Sequence, residues 1–202
     1  MNNENKNINN FKFNTATTIS TYFGIGNVKH APGTFGSIAT FPLFLLLNFI
    51  LLKLNIKTLP QLALSYGIFL ALLTALAFWA VKIYINTNKK EDPSEVVVDE
   101  VIGQAIAFII PTLLTIYYLT YITVELTFTN SFSIIMTIIL ILSPIIFFRL
   151  FDIVKPGLIG YYDNNVSGAK GIIMDDVIAG IYAGLTVSLI LSTFLLGISY
   201  FL

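Results

Sequence analysis

Five stretches of this chain, residues 36–52, 62–81, 101–124, 131–148 and 177–202, contain no Asp, Glu, Lys or Arg. A helix needs about 20 apolar residues to cross the hydrocarbon layer of a bilayer. Inside that layer every backbone polar group must find its partner within the protein. The runs therefore predict an all-α, multi-helical integral membrane protein with about five apolar helices. Composition agrees: 11% of the residues are charged and 56% are hydrophobic, against about 25% charged in an ordinary soluble domain. Pro42, Pro111 and Pro144 fall inside three of the runs, where membrane helices tolerate a kink. The first and fourth runs are the shortest, and on length alone they could tilt less or insert only partly.

Five crossings divide the connecting segments between two sides. The N-terminal side holds residues 1–35, 82–100 and 149–176, and it carries nine of the 11 basic residues; the other side carries only Lys53 and Lys57. By the positive-inside rule the N-terminal side is cytoplasmic. The acids fall the same way, with Glu125 the only one on the opposite side. Four polar segments thus converge on one face, each at a helix end: "HAPGTFGS" (30–37), "EDPSEVVVDEVIGQ" (91–104), "FRLFDIVKP" (148–156) and "SGAKGIIMDD" (167–176).

Several chemistries are excluded at once. The net charge is zero, which argues against nucleic acid as the main partner. Cysteine is absent and His30 is the only histidine, so disulfides, thiolate nucleophiles and His-pair mechanisms are all ruled out. His30 itself reads better as an interface or capping residue than as a general base. The first 14 residues hold seven Asn. Residues 1–20 accordingly read as a poorly ordered cytoplasmic tail and not a signal peptide, and residues 21–202 as one membrane domain.

The acids carry the chemistry. Asp99 and Glu100 open the third run, Asp152 follows the fourth, and Asp175 and Asp176 open the fifth. Asp92, Glu95 and Asp99 would share a helix face if that helix starts before residue 101, although Asp92 and Glu95 read more simply as a solvated acidic face beside Lys89 and Lys90. Asp175 and Asp176 could be helix caps. One cap needs only one acid, however. Carboxylates gathered from three helix ends would repel unless a cation joined them, and oxygen-only ligands favour a hard ion, Mg²⁺ before Zn²⁺. "APGTFGS" supplies Gly33, Thr34, Gly36 and Ser37, which suit either an anion at a helix N-terminus or a simple capped turn. Arg149, Lys155 and Lys170 are positioned to hold a phosphate or to snorkel to headgroups. Gly180 and Gly184, flanked by Ala179 and Ala183, form a small-xxx-small stripe for close helix packing. Bases plus a metal-binding acid cluster at headgroup depth suit a phosphorylated amphiphile. The simplest reaction for such a set is phosphomonoester hydrolysis, with metal polarising a phosphoryl oxygen and activating water.

The four segments, taken together and in this order from residue 31 to residue 180, resemble the phosphatidylglycerophosphatase A family. The resemblance implies an all-helical, Mg²⁺-dependent enzyme on the cytoplasmic face of a bacterial inner membrane. Such an enzyme removes the terminal phosphate of phosphatidylglycerophosphate to give phosphatidylglycerol, so the implied partner is a phospholipid substrate. Position by position, Asp99 and Glu100 match the family's acidic pair. Arg149, Asp152, Lys155 and Pro156 match its arginine, aspartate and Lys-Pro, and Gly168, Gly171, Asp175 and Asp176 match its glycine-rich turn and double aspartate. On this basis Asp99, Glu100, Asp175 and Asp176 are expected to bind metal, with Asp152 a further ligand or base. Arg149, Lys155, Lys170 and the turn at Gly33, Thr34, Gly36 and Ser37 are expected to hold phosphate. The chain has no D-x-D-x-[TV] nucleophile motif and no Asp-Gly pair of the CDP-alcohol transferase kind. A cation-coupled transporter would place its charges near the bilayer midplane, whereas here they lie at the ends of the runs; a non-catalytic scaffold would tolerate neutral residues in place of the acids.

Overall fold

A computed structural model describes residues 3–90, 93–121 and 130–201. Seven α-helices make up the described chain: α1 (Asn3–Ser20), α2 (Pro32–Lys53), α3 (Leu59–Asn88), α4 (Val98–Tyr121), α5 (Asn130–Val154), α6 (Leu158–Asn165) and α7 (Ala169–Phe201). The described residues contain no strand. Five of the helices are long and apolar enough to cross a membrane, so the chain is a multi-helical membrane protein.

Each of the five starts before the charge-free stretch that predicted it, because the punctuation lies in the polar motifs. Pro32 occupies the first turn of α2, where its fixed φ suits a helix start and its missing N–H is not needed. At 22 residues, α2 is about 33 Å long, enough for a full crossing. Helix α5 runs on through Arg149 and Asp152 and stops where Lys155 turns to a φ of 49° just before Pro156, since a residue preceding proline is driven out of the helical region. Gly168, with a φ of 74°, precedes α7. That start places Asp175 and Asp176 almost two turns inside the helix, so neither acts as an N-terminal cap. Helix α4 begins at Val98, which leaves Glu95 outside it; Glu95 pairs with Lys90 at 2.7 Å on the surface. Asp92 lies outside the described residues, as does Glu125.

Helix α4 is the axis of the fold. Val101, Ile102, Ala105, Ala107 and Phe108 are all buried, and α4 packs against α2, α3, α5 and α7, most extensively α7. The small-residue stripe explains that closeness. A Cβ on Gly180 would stand 2.2 Å from the Gly103 carbonyl oxygen, and one on Gly184 would stand 2.9 Å from Ile110. Ala179 and Ala183 are fully buried beside them. The helices meet backbone to backbone, as the spacing of small residues predicts.

Residues 3–20, expected as a disordered tail, form α1. Its second half carries apolar residues at helical spacing: Phe13 stacks on Tyr84 with ring centroids 6.4 Å apart, Ala16 is fully buried, and Ile19 joins the cluster around Val81 and Ile102. The Asn-rich composition hides this stripe. After α1 a 3-10 turn at Ile25–Asn27 presses on the segment that leads into α4. A Cβ on Gly26 would stand 1.9 Å from the Glu95 carbonyl oxygen, and the Val97 N–H donates to the Ser20 carbonyl at 2.9 Å.

Candidate active site

The four polar segments do meet. The start of α2, the start of α4, the end of α5, the last turn of α6 and the start of α7 surround a cavity of about 480 Å³. Its wall includes Asp99, Glu100, Asp152, Asp163, Asp175 and Asp176, with Lys155 as the cation among them.

At its centre are three acids. Asp99 and Glu100, in the first turn of α4, and Asp176 of α7 each bring one carboxylate oxygen to within 4.8 Å of the others. Asp99 and Asp176 are buried, at 8% and 4% exposure. Asp99 Oδ1, Glu100 Oε2 and Asp176 Oδ1 are buried without a hydrogen-bond partner among the described residues. Like charges desolvated together without partners are strongly disfavoured. An oxygen-only donor set of this kind fits a hard divalent cation.

Asp175, expected beside its neighbour as a ligand, turns elsewhere. Its Oδ2 meets Lys155 Nζ at 3.1 Å and its Oδ1 accepts from the Asp176 N–H at 3.0 Å. Neighbours on a helix point about 100° apart, so a double aspartate serves two partners. Asp152 pairs with Arg149 at 2.7 Å, one turn away on α5, and Arg149 lies 4.0 Å from Glu100. Arg149 Nε is buried and unpartnered. Lys155 Nζ contacts Asp163 as well as Asp175. Burial alone would pull the Lys155 ammonium below its ordinary value; the two carboxylates outweigh that and hold it above.

The glycine turn, expected to hold phosphate, borders the cavity only through Pro32. Because α2 starts at Pro32, the N–H groups of Thr34 and Phe35 donate to the Ala31 carbonyl, and the Ser37 hydroxyl donates to the Gly33 carbonyl at 2.9 Å. These groups are turned into their own helix. The glycines serve close packing instead: a Cβ on Gly33 would stand 2.0 Å from Glu100 Oε1 and 3.0 Å from Arg149 Nη1, and one on Gly36 would stand 3.1 Å from Val97. Lys170 is exposed and does not line the cavity. Five residues before Asp175, it points about 140° away around the helix. His30 is exposed outside the cavity wall.

Two polar residues, Asp163 on the cavity wall and Gln104 within α4 outside that wall, escape a reading based on charge-free runs. Asp163 sits between two motifs, and only the reversal at Pro156 and Gly157 returns it to Lys155. Gln104, one turn beyond Glu100, is fully buried with both amide atoms unpartnered. Its position inside an apolar run was the available signal.

A model of the family described as phosphatidylglycerophosphatase A matches residues 18–191. A Bacteroides thetaiotaomicron protein, provisionally named phosphatidylinositol-3-phosphatase, is 30% identical over 82% of this chain and 86% of its own. The phosphatidylglycerophosphatase A of Escherichia coli is 28% identical over 79% of this chain and 73% of its own. The enzyme of the same name from Haemophilus influenzae is 31% identical over 82% of both chains. No solved structure matches. The matched span runs from the end of α1 to the last third of α7 and takes in every acid of the cavity, so the resemblance in the four motifs holds along the whole helical body: the chain belongs to the phosphatidylglycerophosphatase A family.

Proposed function

We propose that this protein is a Mg²⁺-dependent phosphatase that hydrolyses the terminal phosphomonoester of phosphatidylglycerophosphate, giving phosphatidylglycerol and inorganic phosphate. One observation carries the reading. Three carboxylates with buried, unpartnered oxygens face one another at the end of a membrane helix bundle, in a chain whose family bears this activity's name.

Asp99, Glu100 and Asp176 would hold the ion. When bound, Mg²⁺ supplies Lewis-acid polarisation of a phosphoryl oxygen and lowers the pKa of water. The protein's own residues do the rest. Lys155 offers a cation at the cavity mouth for the incoming phosphate. Arg149 does not line the cavity; it pairs with Asp152 at 2.7 Å and stands 4.0 Å from Glu100, so its charge acts on the phosphate site through those two carboxylates. Asp152 lines the same cavity and is the acid placed to accept a proton from an attacking water. The concentration of basic residues on the side of this cavity supports a cytoplasmic orientation, and the family supports a bacterial inner membrane as the location.

The test is phosphate release by purified protein from phosphatidylglycerophosphate, with phosphatidic acid and phosphatidylinositol 3-phosphate in parallel, in Mg²⁺ and in EDTA. The expected result is Mg²⁺-dependent turnover of phosphatidylglycerophosphate above the other two. A faster rate on the inositol lipid would overturn the substrate, and full turnover in EDTA would overturn the metal.

A further inference from the structure

We propose that Asp163 is a positioning residue, holding the Lys155 ammonium at the mouth of the acid cavity with one of its donors left for a lipid phosphate. The proposal rests on the phosphatase reading above and extends it to a residue outside the four motifs.

The local fold brings the pair together from both ends. At Lys155 the backbone adopts a φ of 49°, and Gly157 follows at 59°. Left-handed conformations in a bulky residue are uncommon and gather at functional sites. The reversal starts α6, which is anchored by Ile159, fully buried against the cluster of Phe148 and Ala107. One residue later, a Cβ on Gly160 would stand 2.7 Å from the Lys155 carbonyl oxygen, so α6 lies directly on the Lys155 backbone. Asp163 is a further turn along and reaches the Lys155 side chain. The far end of α6 is fixed too: a Cβ on Gly171 of α7 would stand 1.7 Å from the Val166 carbonyl oxygen. Asp163 is therefore held on a short helix seated at both ends.

The two partners of Lys155 differ in depth. Asp175 is 10% exposed and Asp163 is 33% exposed, with Lys155 between them at 31%. An ammonium has three donors and no acceptor. With one on each carboxylate, the third has no partner among the described residues. Asp175 alone could not fix the height of a long flexible side chain. Without Asp163 the ammonium spreads between Asp175 and bulk water, and the phosphate loses a placed cation. Preorganised charge of this kind chiefly sets how well the anion binds.

The experiment compares Asp163→Ala, Asp163→Glu, Lys155→Ala and the Asp163→Ala/Lys155→Ala double variant. In wild-type background, Asp163→Ala should raise KM for phosphatidylglycerophosphate about tenfold with kcat changed less than threefold, and Asp163→Glu should restore most of the loss. In the Lys155→Ala background, Asp163→Ala should change kcat/KM less than twofold, because it acts through a group already absent. A second tenfold loss there would overturn the proposal. An independent readout needs no turnover: labelling of Lys155 by an amine-reactive reagent, followed by mass spectrometry, should speed up severalfold in Asp163→Ala and return towards the wild-type rate in Asp163→Glu. Unchanged labelling would also overturn it. Wild-type protein inactive on every lipid phosphate would sink the phosphatase reading, and the labelling would still decide the role of Asp163.

Discussion

Gly26 lies in the turn after α1 and contributes nothing to the cavity wall, yet alanine there should impair the site. The new methyl would stand 1.9 Å from the Glu95 carbonyl oxygen and 2.8 Å from its carbon. Both atoms are backbone, so no rotamer change relieves the clash. Reaching an ordinary contact near 3.4 Å requires a shift of about 1.5 Å, and overpacking of this kind costs about 1–3 kcal/mol. The segment that must move includes Val97, whose N–H is bonded to the Ser20 carbonyl, and Asp99 follows two residues later. A misplacement near 1 Å at a catalytic group can cost about 100-fold in rate. Phosphate release in Mg²⁺ should therefore fall about 10- to 100-fold in Gly26→Ala, with the thermal unfolding midpoint in detergent lowered. Wild-type kcat/KM with a lowered midpoint would refute the reasoning: α1 and its turn would then be a stabilising attachment that does not position the acids.

Gly180→Ala should also lower turnover by at least tenfold, since its methyl would meet three backbone atoms of Gly103 within 2.9 Å, whereas Gly67→Ala inside α3, with nothing within 4 Å, should leave activity unchanged and the midpoint no lower than wild type. Asp176→Asn should abolish tight Mn²⁺ binding measured by electron paramagnetic resonance, whereas Lys170→Ala should leave both Mn²⁺ binding and turnover as in wild type. Glu95 is held below its ordinary value, first by the hydrogen bond from Lys90. The pair therefore stabilises the native state above about pH 4 and loses that contribution as pH falls through the depressed value. The Lys90→Met midpoint should lie slightly below wild type at neutral pH and merge with it in acid; a gap that widens on acidification would contradict the sign.

The five spans and the face that gathers the chemistry are legible in the sequence because a bilayer imposes length and charge rules on any chain that crosses it. The helix ends are less so. A charge-free window stops at Val177, but the helix starts at Ala169, since a polar residue near a membrane surface does not break a helix and only Gly168 marks the boundary. The same blindness assigns Asp175 and Asp176 one shared role, when rotation along α7 sends one to Lys155 and the other to Asp99 and Glu100. Asp163 could not be seen in advance: its partner lies eight residues away across a reversal, and no local periodicity encodes that return. The stripe of α1 was hidden by composition, since Phe13, Ala16 and Ile19 are few among many Asn.

The contact between Gly103 and Gly180 also fixes where the bundle can flex. Asp99 precedes Gly103 by four residues and Asp176 precedes Gly180 by four, so each acid sits about 6 Å along its helix from the crossing point. A 10° rocking of α4 on α7 about that pivot moves the acids by only about 1 Å. Tyr121, eighteen residues beyond Gly103 and so about 27 Å along the axis, swings by about 5 Å in the same motion. The short arm belongs to the carboxylates and the long arm to the lipid-facing end, so a bend imposed by bilayer thickness or lateral pressure reaches the acids reduced to about a fifth.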